Sequence, residues 1–484
     1  MTPLDLRPLM PALIVAATGL VALLVQAFTP RGSRAPAAPL SLVGLVGAIG
    51  ATFLIATGRG RGTVTAGVVA ADDFALFFHF LILGIALLAV LFSPSYLRAT
   101  GADRGEYYAL VLFSTVGMLG LVSCRELVSL FVALEIMSVS AYALAGLHRQ
   151  RPESQEAALK YFITGAFSSA FFLYGVALLY GLSGSTFLDR IAPAVHAARP
   201  GTGTLAVLGA GFLLVGFGFK VASVPFHMWA PDVYEGAPTT VTALMATGIK
   251  AAAFGALLRV FLRPLGALAP DWQPAVAVLA VCTMVIGNLG ALAQSNLKRM
   301  LAYSSVAHAG YLLTALVAAP GVATEAVLFY LVAYAAVNLG GFGLVSALAR
   351  ADGREPIAPS DLAGLAERRP ALAALLALFL VSLTGVPVSA GFVGKFYLFS
   401  AAVSGGYVIL AVVGVLMSVV SAYYYLRVVV TMYMREPSAA GDVWPAVAPA
   451  STMALAISAA LVLGLGVYPG PVLAWARVAA QSLR

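Results

Sequence analysis

Long apolar runs divide this chain, each about 20 residues, the length a helix needs to cross the roughly 30 Å hydrocarbon core of a bilayer. They fall near 9–28, 39–57, 73–96, 107–124, 126–147, 157–182 and 203–228, then near 239–263, 274–294, 301–319, 324–349, 371–402, 406–433 and 446–468. About fourteen spans are therefore expected. The runs are rich in Leu, Ala, Val and Gly without period-two alternation, which predicts helices and argues against a strand barrel. Composition agrees, since 61% of the 484 residues are hydrophobic and 10% charged, against about 25% charged in soluble domains. The expected fold class is an all-α polytopic membrane protein. The first run follows Asp5 and Arg7, whose charges cancel, and it exceeds the apolar core of a secretory signal, so it reads as a retained span.

The net charge is +8, but the basic residues lie in short connections, with no basic tract or aromatic-interleaved patch of the kind nucleic acid requires. They read instead as topology signals. On one face fall Arg31, Arg34, Arg98, Arg104, Arg149, Arg151, Lys160, Lys298, Arg299, Arg350, Arg354, Arg368, Arg369, Arg427 and Arg435. The other face takes Arg7, Arg59, Arg61, Arg125, Arg190, Arg199, Arg259, Arg263, Arg477 and Arg484. That bias predicts a cytoplasmic first face and external termini. The cysteines, Cys124 and Cys282, are too few for a zinc or iron–sulfur framework, so redox chemistry is expected elsewhere.

Three lysines belong to no connection. Lys220, Lys250 and Lys395 lie inside spans, as does Glu135, and a charge at the bilayer centre costs roughly 2.5–3.5 kcal/mol on insertion scales. One reading is static pairs or snorkelling side chains. The reading favoured here is a proton pathway, because four mid-depth ionisable groups on four spans are what ion and proton routes look like. Lysine suits such a pathway because a low dielectric disfavours its charged form and a nearby carboxylate favours it. Glu135, the one acidic residue deep in a span, is the expected partner of Lys220, the two titrating as a pair.

Two of these spans carry helix-breaking residues. Pro225, Pro231, Gly236 and Pro238 follow Lys220, and Gly385, Pro387 and Gly391 precede Lys395. Proline removes a backbone donor, and broken helices at membrane depth need protein or water around them. Ordinary kinks are the competing reading. The breaks fall in the seventh and twelfth spans, five apart, which predicts two inverted five-helix repeats, spans 4–8 and 9–13. The expected organisation is a three-helix segment at 1–100, half-channels at 107–263 and 274–433, and a last helix and tail at 446–484.

Smaller signals complete the set. His308 sits in the tenth span among Tyr303, Ser304, Ser305 and Tyr311, enough hydroxyls for a proton relay, though a satisfied core histidine is the alternative. His227 and Asp232 flank the first break and form either a cytoplasmic mouth or a helix cap. His79 reads as structural.

With these residues laid out, the chain resembles the antiporter-like subunits of respiratory complex I, the bacterial NADH-quinone oxidoreductase. The resemblance rests on "LEIMSVSAYAL" around Glu135, "ALKYFITGAFSSAFFLYG" at 158–175, "FKVASVPFHMWAPDVYEGAPTTVTA" at 219–243, "NLKRMLAYSSVAHAGY" at 296–311 and "GVPVSAGFVGKFYLF" at 385–399. Lysine at 395 favours the N branch of that family over the M branch, and the absence of a long lateral helix disfavours the L branch. The resemblance implies two half-channels joined by a hydrated axis, with Glu135 and Lys220 paired in the first, Lys250 as the central link and Lys395 as the protonation site of the second. It also implies no cofactor in this chain. FMN, iron–sulfur clusters and quinone belong to partner subunits, with subunits K and M as neighbours and the peripheral redox arm reached through them. A bacterial inner membrane location follows. The alternatives are a multi-subunit cation/proton antiporter, a membrane-bound hydrogenase, or a scaffold whose lysines only pack. The tail "VYPGPVLAWARVAAQSLR" departs from the family and is given no role.

Overall fold

The structure, a computed structural model, describes residues 5–29, 36–198, 202–318, 322–350, 355–436 and 445–483. Arg31, Arg34, Arg199, Arg354 and Arg484 lie outside the described residues. Helices α1 (Met10–Phe28), α2 (Ala37–Thr57) and α3 (Asp73–Ala99) come first, then α4 (Gly105–Ser123), α5 (Leu127–Ala145) and α6 (Pro152–Ser183). A short α7 (Leu188–His196) precedes α8 (Thr202–Val221), α9 (Trp229–Gly236) and α10 (Thr239–Leu244), which runs through a π turn at Met245–Ile249 into α11 (Lys250–Leu262). The rest are α12 (Ala269–Leu292), α13 (Leu297–Leu316), α14 (Val322–Ala347), α15 (Leu365–Arg368), α16 (Pro370–Thr384), α17 (Ala390–Ser404), α18 (Val408–Met434), α19 (Pro449–Val467) and α20 (Gly470–Gln481).

Among the described residues, 12 helices are long and apolar enough to cross a membrane, so the chain is a multi-pass helical membrane protein. The twelfth expected run is two shorter apolar helices, α16 and α17. The tenth is α13, 20 residues long, whose Lys298, Arg299 and His308 lower its hydropathy. The run through α10 and α11 is wholly buried and α14 nearly so, whereas α1, α2 and α18 turn Leu, Val and Phe outward. That layout puts polar side chains in the middle, where neighbouring helices and not lipid meet them.

Two local features are not legible in the sequence. The charge pattern places Arg259 in a connection, yet it lies inside α11, 0% exposed. Asp72 caps α3 by accepting from the Ala75 amide at 2.8 Å. The same carboxylate takes both Arg259 guanidinium nitrogens, at 2.7 and 2.8 Å, while Arg259 Nε donates to the Val122 carbonyl at 3.0 Å. The tail, for its part, folds as α20: Trp475 lies 4.6 Å from the Phe77 ring and Ser482 Oγ accepts from the Phe74 amide at 3.0 Å. It clamps the start of α3.

Both expected interruptions are visible. Residues 222–228 carry no helix between α8 and α9, with a cis Val224–Pro225 bond, and residues 385–389 separate α16 from α17. Gly385 ends α16 at φ +91°, a conformation that excludes most side chains, and a Cβ there would also lie 3.0 Å from Lys395 Cδ. Gly391 opens α17 so close to α16 that a Cβ would lie 1.8 Å from the Ser382 carbonyl oxygen. Gly391→Ala is therefore expected to force the two half-helices apart at a cost of about 1–3 kcal/mol, read as a lower thermal midpoint. Gly464→Ala, where a Cβ meets nothing within 4 Å, serves as the control and should not lower it.

Candidate functional site

The four intramembrane charges do not form the simple arrangement expected. Lys220, in the last turn of α8, is 2% exposed. Its Nζ donates to Ser138 Oγ at 2.7 Å and to Tyr142 OH at 3.2 Å, both on α5, and lies over the Tyr142 and Phe219 rings. Glu135 is half-buried and accepts instead from Ser169 Oγ of α6 at 2.5 Å. No ion pair within 4 Å joins Glu135 to Lys220; Ser138, Tyr142 and Ser169 take up their hydrogen bonds.

Lys250 follows the π turn in the wholly buried run, a distortion that frequently marks functional positions. Its Nζ donates to the Ser305 carbonyl at 2.6 Å and to Ser305 Oγ at 2.5 Å, and Tyr334 OH donates to the same hydroxyl at 2.8 Å. One turn along α13, His308 is 1% exposed and bonded on both ring nitrogens, Nδ1 to Tyr330 OH and Nε2 to Tyr425 OH at 3.2 Å. Tyr425 OH also bonds Ser304 Oγ. Beyond it, Asn288 ties Tyr311 OH at 3.2 Å to Tyr424 OH at 3.0 Å.

Lys395 closes the series. It is 5% exposed, lies 4.9 Å from the centre of the Tyr311 ring, and donates to the Thr384 carbonyl at 3.0 Å. That carbonyl is the last of α16, left without its helical donor by the break. Pro387 and Pro225 themselves sit on the outer surface, so the break supplies the interior with a free backbone acceptor and not with proline. Tyr311 stands edge-on to His308 at 5.3 Å and so lies between the relay and the lysine, its ring centre 4.9 Å from Lys395 Nζ.

Lys250, His308 and the surroundings of Lys395 thus follow one another along α13 as neighbouring polar groups, each with its own hydrogen bonds. Lys220 and Glu135 form a second group on α5, α6 and α8, and among the described residues no continuous chain of hydrogen bonds links the two. Tyr303 is not in the axis; it lies near His227, ring to ring at 6.5 Å. Asp232 is not in it either. It bonds Lys160 Nζ and Arg299 Nη1, each at 2.6 Å, in a surface cluster with Glu235. Partial burial pushes its carboxyl up, but Lys160 and Arg299 hold it below the usual range. His79, expected to lack polar company, bonds Ser123 Oγ at 2.7 Å.

Sequence reading missed Tyr330, Tyr334 and Tyr425. A signal existed: Tyr330 and Tyr334 are four apart on one face of a span, and hydroxyls in an apolar run are natural relay groups.

Comparison with known proteins gives a consistent picture. Residues 124–421 match the family described as NADH:quinone oxidoreductase/Mrp antiporter, transmembrane. A relative from Trichlorobacter lovleyi, NADH-quinone oxidoreductase subunit N, is 44% identical, covering 99% of this chain and 98% of its own. Among solved structures, a chain of respiratory complex I from Thermus thermophilus with bound aureothin superposes with a TM-score of 0.80 at 37% identity, over 96% of this chain and 98% of its own. A chain of the Mrp complex from Dietzia shares the fold, with a TM-score of 0.84 at 22% identity over 100% of this chain and 98% of its own.

Proposed function

Since the chain belongs to the NADH:quinone oxidoreductase/Mrp antiporter transmembrane family and is a proton-translocating membrane-arm subunit of an NADH-quinone oxidoreductase, we propose that protons cross it through Lys220, Lys250 and Lys395. Glu135 sets the local field of the first group, and His308 with Tyr330 and Tyr425 carries the proton along α13. Two five-helix units, 107–263 and 274–433, form the two half-channels. His227, Asp232 and Tyr303 stand at the mouth of the first, outside the axis.

One observation supports this most. All three lysines are bonded to hydroxyl or carbonyl oxygens and none to a carboxylate within 4 Å. Arg259, in contrast, is locked to Asp72. A buried charge without a carboxylate in contact is poorly compensated, and no ion pair locks its proton in place. That favours working groups over packing charges.

The energy comes from outside the chain. Moving a proton against about 100 mV costs roughly 2.3 kcal/mol, and redox chemistry on FMN, iron–sulfur clusters and quinone in partner subunits supplies it. We place the chain in a bacterial inner membrane, between subunits K and M, with its termini external and its arginine-rich face cytoplasmic. The antiporter reading shares the fold, but the 44% relationship to an oxidoreductase subunit favours respiration.

The test is Lys250→Met in the chromosomal copy, with complex assembly verified. NADH-driven proton pumping in inverted vesicles is expected to fall about tenfold, the effect of roughly 1.4 kcal/mol on the barrier. Wild-type pumping in an assembled Lys250→Met complex would remove the lysine from the pathway.

A further inference from the structure

Away from the lysines, the arginine-rich face holds a cavity of about 750 Å³ between α9, the start of α13 and residues 355–361. Its wall carries Glu355, whose side chain is 7% exposed. This carboxylate is heavily engaged: Tyr96 OH and Thr239 Oγ1 donate to it, and Lys298 Nζ lies 3.4 Å away. Nothing in the pathway from Lys220 to Lys395 uses it.

Its position leads inward. Thr239 is the first residue of α10, and Lys250 lies eleven positions on, just past the π turn of the same buried run. The stretch between is lined with hydroxyls. Thr240 Oγ1 accepts from Tyr107 OH at 3.0 Å, which bonds Ser93 Oγ at 2.7 Å. Thr242 Oγ1 donates to the Tyr234 carbonyl at 3.0 Å, and the buried Tyr234 side chain faces Ser305, the residue that holds Lys250. Thr239, Thr240, Thr242 and Thr247 are all buried.

We propose that Glu355 and its cavity form the vestibule in which a proton is collected for Lys250, with the hydroxyls of α10 and Tyr234 as the route inward. This rests on the lysine pathway proposed for the chain. A water-borne proton adds to a Glu355 carboxylate oxygen and leaves through the Thr239 hydroxyl. The chain's charge rises by one when Glu355 takes the proton from water, and it stays constant as each hydroxyl on the way accepts one proton and releases its own until Lys250 holds the proton.

The surroundings fit a collector. Burial pushes the Glu355 carboxyl up, but the Lys298 ammonium and the Thr239 and Tyr96 hydroxyls hold it below its usual range, so it stands ionised and passes on readily any proton it takes up. His148 lines the same cavity, and its Nε2 meets no protein partner among the described residues. Burial lowers that imidazole to about 4, with the charge of Arg151 adding to the effect. It faces the cavity as a neutral base. Arg151, Arg350, Glu153, Glu235 and Asp361 complete the charged wall.

The experiment is Glu355→Ala and Glu355→Asp in the whole complex, measuring NADH-driven pumping with and without added acetate. Glu355→Ala is expected to lose about tenfold, within the usual weight of a positioned proton-transfer group. Glu355→Asp should regain most of it, and acetate entering the cavity should restore part of the alanine variant's rate. Unchanged pumping in Glu355→Ala overturns the proposal. So does a loss that neither aspartate nor acetate repairs, because Glu355 would then only clasp α3, α10 and α13. Should Glu355→Ala fail to assemble, Thr239→Val decides: it keeps the Tyr96 and Lys298 contacts, and a wild-type rate there overturns the route. Lys250→Met run alongside separates the two ideas, since normal pumping in that variant defeats the pathway itself and not the vestibule alone.

Discussion

Replacing Lys395 with arginine is expected to stop proton pumping as thoroughly as replacing it with alanine, while the complex still assembles. Arginine keeps the charge and much of the length, and its planar donors can reach the Thr384 carbonyl that Lys395 Nζ binds at 3.0 Å. A packing role would therefore survive the change. What arginine does not do is release its proton, because its guanidinium stays charged in proteins. Loss of about tenfold or more in coupled turnover is expected for both variants. Measuring NADH-driven quinone reduction and pumping in inverted vesicles separates the cases. If Lys395→Arg pumps normally, Lys395 is a fixed charge beside Tyr311 and the second half-channel needs another protonation site.

The second large effect concerns stability. Asp72→Ala strips the bidentate partner from Arg259, which is 0% exposed, and removes the cap of α3 at the same time. Breaking a buried pair by deleting one member costs about 3–5 kcal/mol, mostly from the charge left behind. The solubilised complex should unfold at markedly lower temperature, and less of it should assemble. Asp72→Ala combined with Arg259→Met is expected to recover much of that loss, since the stranded charge is gone. If the single variant is as stable as the wild type, the pair contributes nothing and Arg259 finds another acceptor. The contrast with Lys395 is chemical: Arg259 has a carboxylate that fixes its charge, and the lysines do not.

Much of the architecture is readable without coordinates. Apolar runs of span length set the class, because a bilayer tolerates few other ways to satisfy a backbone. Gly385 and Pro387 mark the second interruption because their limits are intrinsic to each residue and do not depend on neighbours. Lys220, Lys250 and Lys395 stand out for a similar reason: a charge within an apolar run is costly wherever it later points. These are properties of the residue or its immediate stretch, so the one-dimensional sequence carries them.

Partnerships are another matter. Glu135 meets Ser169 and not Lys220, Arg259 leaves its supposed connection for Asp72, and Glu355 joins Tyr96, Thr239 and Lys298 across a cavity. Each depends on how helices distant in sequence rotate against one another, and a turn of about 100° per residue moves a side chain from one neighbour to the next. The sequence by itself determined that this chain spans a membrane with three lysines and two broken helices inside it. Only the tertiary structure decided that Arg259 is locked to Asp72 while the three lysines rest on hydroxyl and carbonyl oxygens, because that depends on which helix faces meet.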